Sequence, residues 1–291
     1  MEKQLIDNLI AGPARAVVGL GDGARGGSGV VIDEGRVLTL ARNLRGSDVS
    51  LAFADGRRER ARVLGSDANL GVSLLEAPTG EAPAVAWAEG STAAIGTRVF
   101  ALADPGGRGL RVTAGSVASA PRSLRGPRGR MLDGLIEHTA PMPRGSGGGP
   151  LLDESGALLG LNAVRLAHGF ILALPGAGIR ERLEDLSAGR ARTPRRLGVA
   201  VVPPRIARRL RRAVGLPERD GVLVRAVEQE SPAERAGVQR GDLIVALGER
   251  TVDSLDALFG ALDAAAVDEP VPLRIVRGVE ERELQATLES R

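Results

Sequence analysis

From Ala16 to about Leu174 the chain is a series of short apolar runs cut by Gly, Pro, Asn and Asp. Examples are SGVVID (28–33), RVLTLA (36–41), DVSLAFADG (48–56), RARVLGSD (60–67), RVFALADPGG (98–107) and LRVTAGSVAS (110–119). Runs this short do not reach helical length, and turn residues at regular intervals predict a mostly β fold, a barrel or sandwich of many short strands. The helical period is weak here, apart from a candidate at Gly178–Leu186. With only 2% aromatic residues, the core must be built from Val, Leu, Ile and Ala.

The character changes after Ser187. Residues 187–195, small, basic and Pro-containing, read as a linker. Beyond them LGVAVV (197–202) and GVLVRAVEQ (221–229) read as strands, with a short amphipathic helix between them whose apolar side is Ile206, Leu210 and Val214. Ser231-Pro232-Ala233 opens a second short helix, with Ser as cap and Pro in the first turn, and Gly237 closes it. A strand over GDLIVALGE (241–249), a helix from Ser254 to Ala265 carrying Leu258 and Leu262, and a hairpin of VPLRIVRG (271–278) with ELQATL (283–288) complete a small α+β domain. The predicted organisation is an N-terminal segment (1–13), a β domain (14–186), a linker (187–195) and the α+β domain (196–291).

Composition narrows the function classes. The chain has no cysteine and only two histidines, His138 and His168, so disulfides and thiolate zinc sites are excluded and neither a metal nor a cofactor is expected. A formal charge of +3 is no nucleic-acid footprint. Arg205, Arg208, Arg209, Arg211 and Arg212 cluster on one predicted helix, but with Glu218 and Asp220 close by they read as a solvated charged face, so neither nucleic acid nor an anionic membrane surface is the expected partner. The first twenty residues contain no apolar core of signal-peptide length, and no run reaches about 18 apolar residues; the expectation from these is a cytoplasmic protein.

Four segments, in order, resemble trypsin-like serine proteases of the HtrA (DegP-like) type over roughly residues 14–186: SGVVIDEGRVLT (28–39), GTRVFALADPGG (96–107), VTAGSVAS (112–119) and GSGGGPLLDESGALLGLNAV (145–164). SPAERAGVQRGDLIVALGERTVDSLDAL (231–258) is similar to the PDZ domain of the same proteins, and RLGV (196–199) to the loop with which such domains grip a C-terminal carboxylate. The resemblance implies a trypsin-like double β-barrel followed by a small PDZ domain, and a homo-oligomer, a trimer in that family. The aromatic residues that assemble it near the N-terminus have no counterpart here, the first aromatic being Phe53.

A triad of this kind needs Ser as nucleophile, His as base and Asp to hold the imidazole. The resemblance puts the His place, after Leu38-Thr39-Leu40-Ala41, at Arg42, the Asp place at Asn69 or Gly71, and the Ser place, counted from Gly-Gly-Pro, at Gly147. A guanidinium stays protonated and is no base. The expectation is therefore a catalytically inactive pseudoprotease, an adaptor, sensor or holdase. Its Gly145 and Gly147 amides are the residual oxyanion hole, and its PDZ groove takes peptides or protein C-termini through Leu197, Gly198, Val199, Val201 and Leu258. The alternative is an active endopeptidase with a rewired site made of Ser146 and His138.

Overall fold

In the computed structural model the described residues are 2–21, 26–44, 46, 48–90, 93–125, 131–189, 195–266 and 269–290. They divide into two compact units, Met1–Leu124 with Leu132–Arg192, and a second built on Thr193–Arg291. The expected linker, 187–195, falls largely on 190–194, outside the described residues; Ser187 ends a helix and Arg195 begins a strand.

The first unit opens with helix α1 (Glu2–Ala11), within the expected N-terminal segment 1–13. Its Leu9 is buried against the core, with Leu5 and Ile6 partly buried beside it. Strands β1 (Val17–Leu20), β2 (Gly27–Asp33), β3 (Arg36–Leu40), β4 (Asp48–Ala52), β5 (Arg58–Asp67) and β6 (Val72–Glu76) close into a barrel in the order β1-β2-β3-β6-β5-β4. Strands β7 (Arg98–Ala103), β8 (Arg111–Ser116), β9 (Arg122–Arg125), β10 (Met131–His138), β11 (Pro150–Leu152), β12 (Leu158–Arg165) and β13 (Ile171–Pro175) form a second sheet, β8-β7-β11-β12-β13-β10-β9. A bridge between Val117, just past β8, and His138 of β10 brings its ends together, with Ala118 N–H donating to the Glu137 carbonyl at 2.7 Å. The trypsin-like double-barrel expectation is met in this form. Leucine, valine and alanine make most of the core, and Phe100 is the one aromatic among the largest fully buried side chains, the others being leucines, as a chain poor in aromatics requires. The expected helix at 178–186 is split into α2 (Gly176–Arg180) and α3 (Leu183–Ser187).

The second unit pairs β14 (Arg195–Arg196) with β21 (Glu289–Ser290) and forms one sheet from β15 (Val199–Val202), β16 (Val222–Val227), β17 (Leu243–Leu247), β19 (Pro270–Arg277) and β20 (Glu280–Thr287), with β18 (Arg250–Thr251) beside β17. Three helices cover it: α4 (Pro204–Ala213), α5 (Pro232–Arg235) and α6 (Leu255–Ala264). The capping residues act as their chemistry predicts. Ser231 Oγ accepts from Glu234 N–H at 3.2 Å, and Ser254 Oγ from Ala257 N–H at 3.0 Å.

Helix α4 forms where the sequence puts it but faces the other way. Ile206, Leu210 and Val214 are 47%, 47% and 70% exposed, while Ala207 and Arg211 are buried. Ala207 is small enough to seat the helix against Leu243 and Val276. Arg211 reaches past the helix to the carbonyls of Pro217, at 3.0 Å, and Gly278, at 3.1 Å. Arg208 pairs with Asp220 and Arg212 with Glu218, the acidic neighbours already visible in the sequence.

Candidate functional site

Residues 145–149 end the loop between β10 and β11, and their shape is held by main-chain and side-chain groups from elsewhere. Ser28 N–H donates to the Gly147 carbonyl at 3.0 Å, and Asn43 Nδ2 donates to the same oxygen at 2.8 Å. Gly148 N–H donates to the Asn162 carbonyl at 2.8 Å, and Gly149 N–H to the Ser146 carbonyl at 3.1 Å. Asn162 Nδ2 holds the Gly149 and Pro150 carbonyls at 3.0 and 2.9 Å. Gly148 has φ +91, and a Cβ there would stand 2.2 Å from the Ser28 carbonyl oxygen, so only glycine fits this turn. The run of glycines is thus a fixed turn pinned by Ser28, Asn43 and Asn162. None of these three was among the expected site residues; in the sequence only Asn162 stands out, as a polar residue within the apolar run 158–164.

Arg42 lies on a single 3₁₀ turn, Ala41–Asn43, directly after β3. Its guanidinium crosses to the second barrel and donates to the Ala163 carbonyl. A Cβ built on Gly147 would lie 2.6 Å from Arg42 Nη2 and 3.6 Å from its Cζ. The positions expected for base and nucleophile are therefore brought together, but one carries a guanidinium that occupies the space of the other's missing side chain. Desolvation lowers the Arg42 pKa, and no carboxylate among the described residues pairs with it.

The two places considered for an acidic partner sit in the turn between β5 and β6. Asp67 Oδ1 accepts from the N–H groups of Asn69, at 2.8 Å, and Leu70, at 3.0 Å, so that carboxylate caps its own turn. Gly71 N–H donates to the Asp67 carbonyl at 2.7 Å, and its own carbonyl accepts from Ala41 N–H at 2.8 Å, which ties this turn to the one carrying Arg42. The buried Asn69 Oδ1 has no hydrogen-bond partner among the described residues.

His138 and Ser146 are both buried, at 0% and 3% exposed. His138 Nε2 lies 2.9 Å from Asn162 Oδ1. Since the Asn162 amide nitrogen is donating to two carbonyls, its oxygen accepts, which places the imidazole proton on Nε2. Burial pushes the His138 pKa down to about 4, the Asn162 bond opposing the shift, so the ring is neutral near pH 7. His138 Nδ1 and Ser146 Oγ each lack a hydrogen-bond partner among the described residues, so they are not bonded to each other. His168 stands exposed between β12 and β13 with φ +68.

Beside the loop lies a cavity of about 310 Å³ lined by residues 142–147 and 162–165 together with Arg42 and Ile171. The amides of Gly145 and Gly147 make no hydrogen bond to any described residue.

In the second unit, β15 is an edge strand: Val199–Val202 pairs with β16 and leaves its other side open. The Leu197 carbonyl accepts from Ala233 N–H at 2.8 Å, and the Gly198 carbonyl from Glu228 N–H at 2.9 Å. Gly198 has φ +79, and a Cβ there would lie 2.2 Å from Ser231 Cβ, so the turn before β15 requires glycine on two counts. Val199 and Val201 are half-buried beside the open edge. Leu258, expected on a groove wall, is 2% exposed and belongs to the core with Leu262; the residues of α6 with apolar surface left are the half-buried Leu255 and Phe259. The helical period sets Leu258 on the inward face of α6.

Known proteins resemble both units. A model of the trypsin-like peptidase domain matches residues 27–161, and a model of the PDZ domain matches residues 223–277. A protein of Halomonas elongata named probable periplasmic serine endoprotease DegP-like is 27% identical over 269 residues, covering 90% of this chain and 56% of that protein. Its namesake in Rickettsia prowazekii is 26% identical over 243 residues, covering 81% of this chain and 47% of the relative. The chain thus spans about half the length of these curated relatives. Among solved structures, that of the HtrA-type protease AlgW with decapeptide is 23% identical with a TM-score of 0.78, covering 98% of each chain. The serine endoprotease from Yersinia pestis is 21% identical with a TM-score of 0.75, covering 98% of this chain and 97% of the other; these two likenesses are of fold. The expectation of a cytoplasmic protein is overturned by the names of the relatives, which are periplasmic endoproteases. Its basis was the absence of an apolar core of signal-peptide length and of a membrane-spanning apolar run, and that does not report the compartment of a chain spanning half of its relatives.

Proposed function

Because this chain is an HtrA-type trypsin-fold protein with one PDZ domain, we propose that it binds peptides or protein C-termini without cleaving them, as an adaptor, sensor or holdase of the periplasm. One observation carries the reading. The Arg42 guanidinium stands 2.6 Å from where a side chain on Gly147 would begin, so the place of the base holds a cation and the place of the nucleophile has no side chain of its own. Acyl transfer needs an oxygen that can be deprotonated and a group to take the proton. Removing even one member of such a triad costs on the order of a factor of 10⁴ or more in rate.

Binding rests on the second unit. An extended peptide adds beside β15 through main-chain hydrogen bonds, and its terminal carboxylate meets the backbone around Leu197, Gly198 and Val199. Val199 and Val201 supply apolar contact at this edge, and Leu258 supports it from below as part of the core.

Two measurements test the proposal. A fluorophosphonate serine probe leaves the chain unlabelled; stoichiometric labelling at Ser146 would establish instead a rewired endopeptidase using Ser146 and His138. A peptide with a free C-terminal carboxylate, selected from a library against the full chain, loses its affinity on Gly198→Pro, and unchanged affinity would refute the PDZ groove as its site.

A further inference from the structure

The structure points to a second carboxylate-reading site in the first unit, at the loop where a nucleophile would stand. We propose that Arg42, Ser146 and the amides of Gly145 and Gly147 bind the C-terminal carboxylate of a peptide whose last side chain is small and apolar. The inference rests on the non-cleaving reading of this loop and adds to it a ligand class.

Four observations meet here. The cavity of about 310 Å³ presents Arg42, Arg144 and Arg165 and has no Asp or Glu in its lining. None of these three arginines forms an ion pair with a described residue. A guanidinium is always charged, and one held beside a partly enclosed cavity draws an anion into it. Ser146 Oγ is buried within a residue 3% exposed and has no partner, although an unbonded buried hydroxyl costs roughly 1–3 kcal/mol. The Gly145 and Gly147 amides carry two further unused donors. Their positions are fixed by the bonds of Ser28, Asn43 and Asn162 to the rest of the loop, so the donors are held in place before any ligand arrives.

The chemistry selects a carboxylate on a peptide over a free inorganic anion. The remaining wall includes Met142, Val164 and Ile171, an apolar surface that rewards an attached side chain and gives nothing to a bare ion. The volume suits one or two residues. Fork geometry on Arg42 matches the two oxygens of a carboxylate. Gly147 has a part in this: only a residue without Cβ leaves Arg42 Nη2 where it stands. No bond is made or broken.

The test uses the full chain with Gly198→Pro, so that the PDZ edge is disabled and calorimetry reports this site. The probe is N-acetyl-Ala-Val as the free acid, compared with its C-terminal amide and with inorganic phosphate. The acid binds at least tenfold more tightly than the amide, since bonds between charged partners are roughly twice as strong as neutral ones, and at least tenfold more tightly than phosphate, which carries no side chain for the apolar wall to contact. Arg42→Gln and, separately, Gly147→Ser each weaken the acid at least tenfold, the second by displacing the guanidinium. Circular dichroism checks that each variant is folded; should Arg42→Gln unfold, Gly147→Ser alone decides. Equal binding of acid and amide, equal binding of phosphate, or undiminished affinity in a folded Gly147→Ser would overturn the proposal. A fluorophosphonate label would remove the non-cleaving reading, whereas the acid–amide comparison judges the receptor alone, so the two failures are told apart.

Discussion

Acidification should destabilise this protein through one imidazole. His138 is fully buried, with Nδ1 unbonded and Nε2 committed to Asn162, and its pKa in the fold is held down to about 4 against 6.5 in the open chain. Between those two values the unfolded chain binds a proton that the folded chain does not, so stability rises with pH across the window and is lost as pH falls through it. The slope is about 1.4 kcal/mol per pH unit, and the loss from about pH 7 to about pH 4.5 comes to about 2.5 kcal/mol. His138→Gln keeps a donor toward Asn162 Oδ1 and removes the titration. Urea unfolding of both chains at the two pH values gives four stabilities; the native chain should lose about 2.5 kcal/mol more than the variant. Equal losses, or a His138 ring that titrates near its ordinary value by NMR, would refute the argument.

Other substitutions probe the scaffold. Gly198→Ala, in the left-handed region and 2.2 Å from Ser231 Cβ, should destabilise the second unit by about 2 kcal/mol in denaturant unfolding and weaken peptide binding with it. Leu258→Ala should cost about 3 kcal/mol of stability, as a cavity in the core, whereas a residue acting only as a groove wall would leave stability unchanged. Asp242 is 1% exposed and takes Arg277 Nε and Nη2 at 2.8 Å each, so Asp242→Asn should lower the unfolding midpoint by an amount worth about 3 kcal/mol. Asn43→Ala should speed hydrogen exchange of the Gly148 and Gly149 amides, because it removes a bond to the Gly147 carbonyl without touching the core.

Turn chemistry and strand length were legible at once: the hairpin of β2 and β3, the caps at Ser231 and Ser254, and the long pairing of β19 with β20 all follow from local residue choice. The site was legible as a set of positions, since Arg42 and Gly147 do meet. That the guanidinium fills the gap left by the glycine was not, because it depends on a contact across 105 residues of chain that no local pattern encodes. The same limit explains Asn43 and Asn162, whose partners lie in another barrel strand or loop. Helix α4 shows a different limit. Period detects an apolar stripe, but whether Ile206 or Ala207 faces the sheet is decided by how closely the helix must approach it. Helix α1 carries Leu5, Ile6, Leu9 and Ile10 at one-turn spacing, a helical signal that is readable locally.

The turn at Gly148 is fastened by Ser28, Asn43 and Asn162, none of which occupies a position where proton transfer would take place. Architecture and reactivity therefore reside in separate residues. A lineage built on this scaffold is free to drift at 42, at 69 or 71, and at 147 while the turn stays rigid, and the surface it offers to other molecules persists through changes in what that surface does.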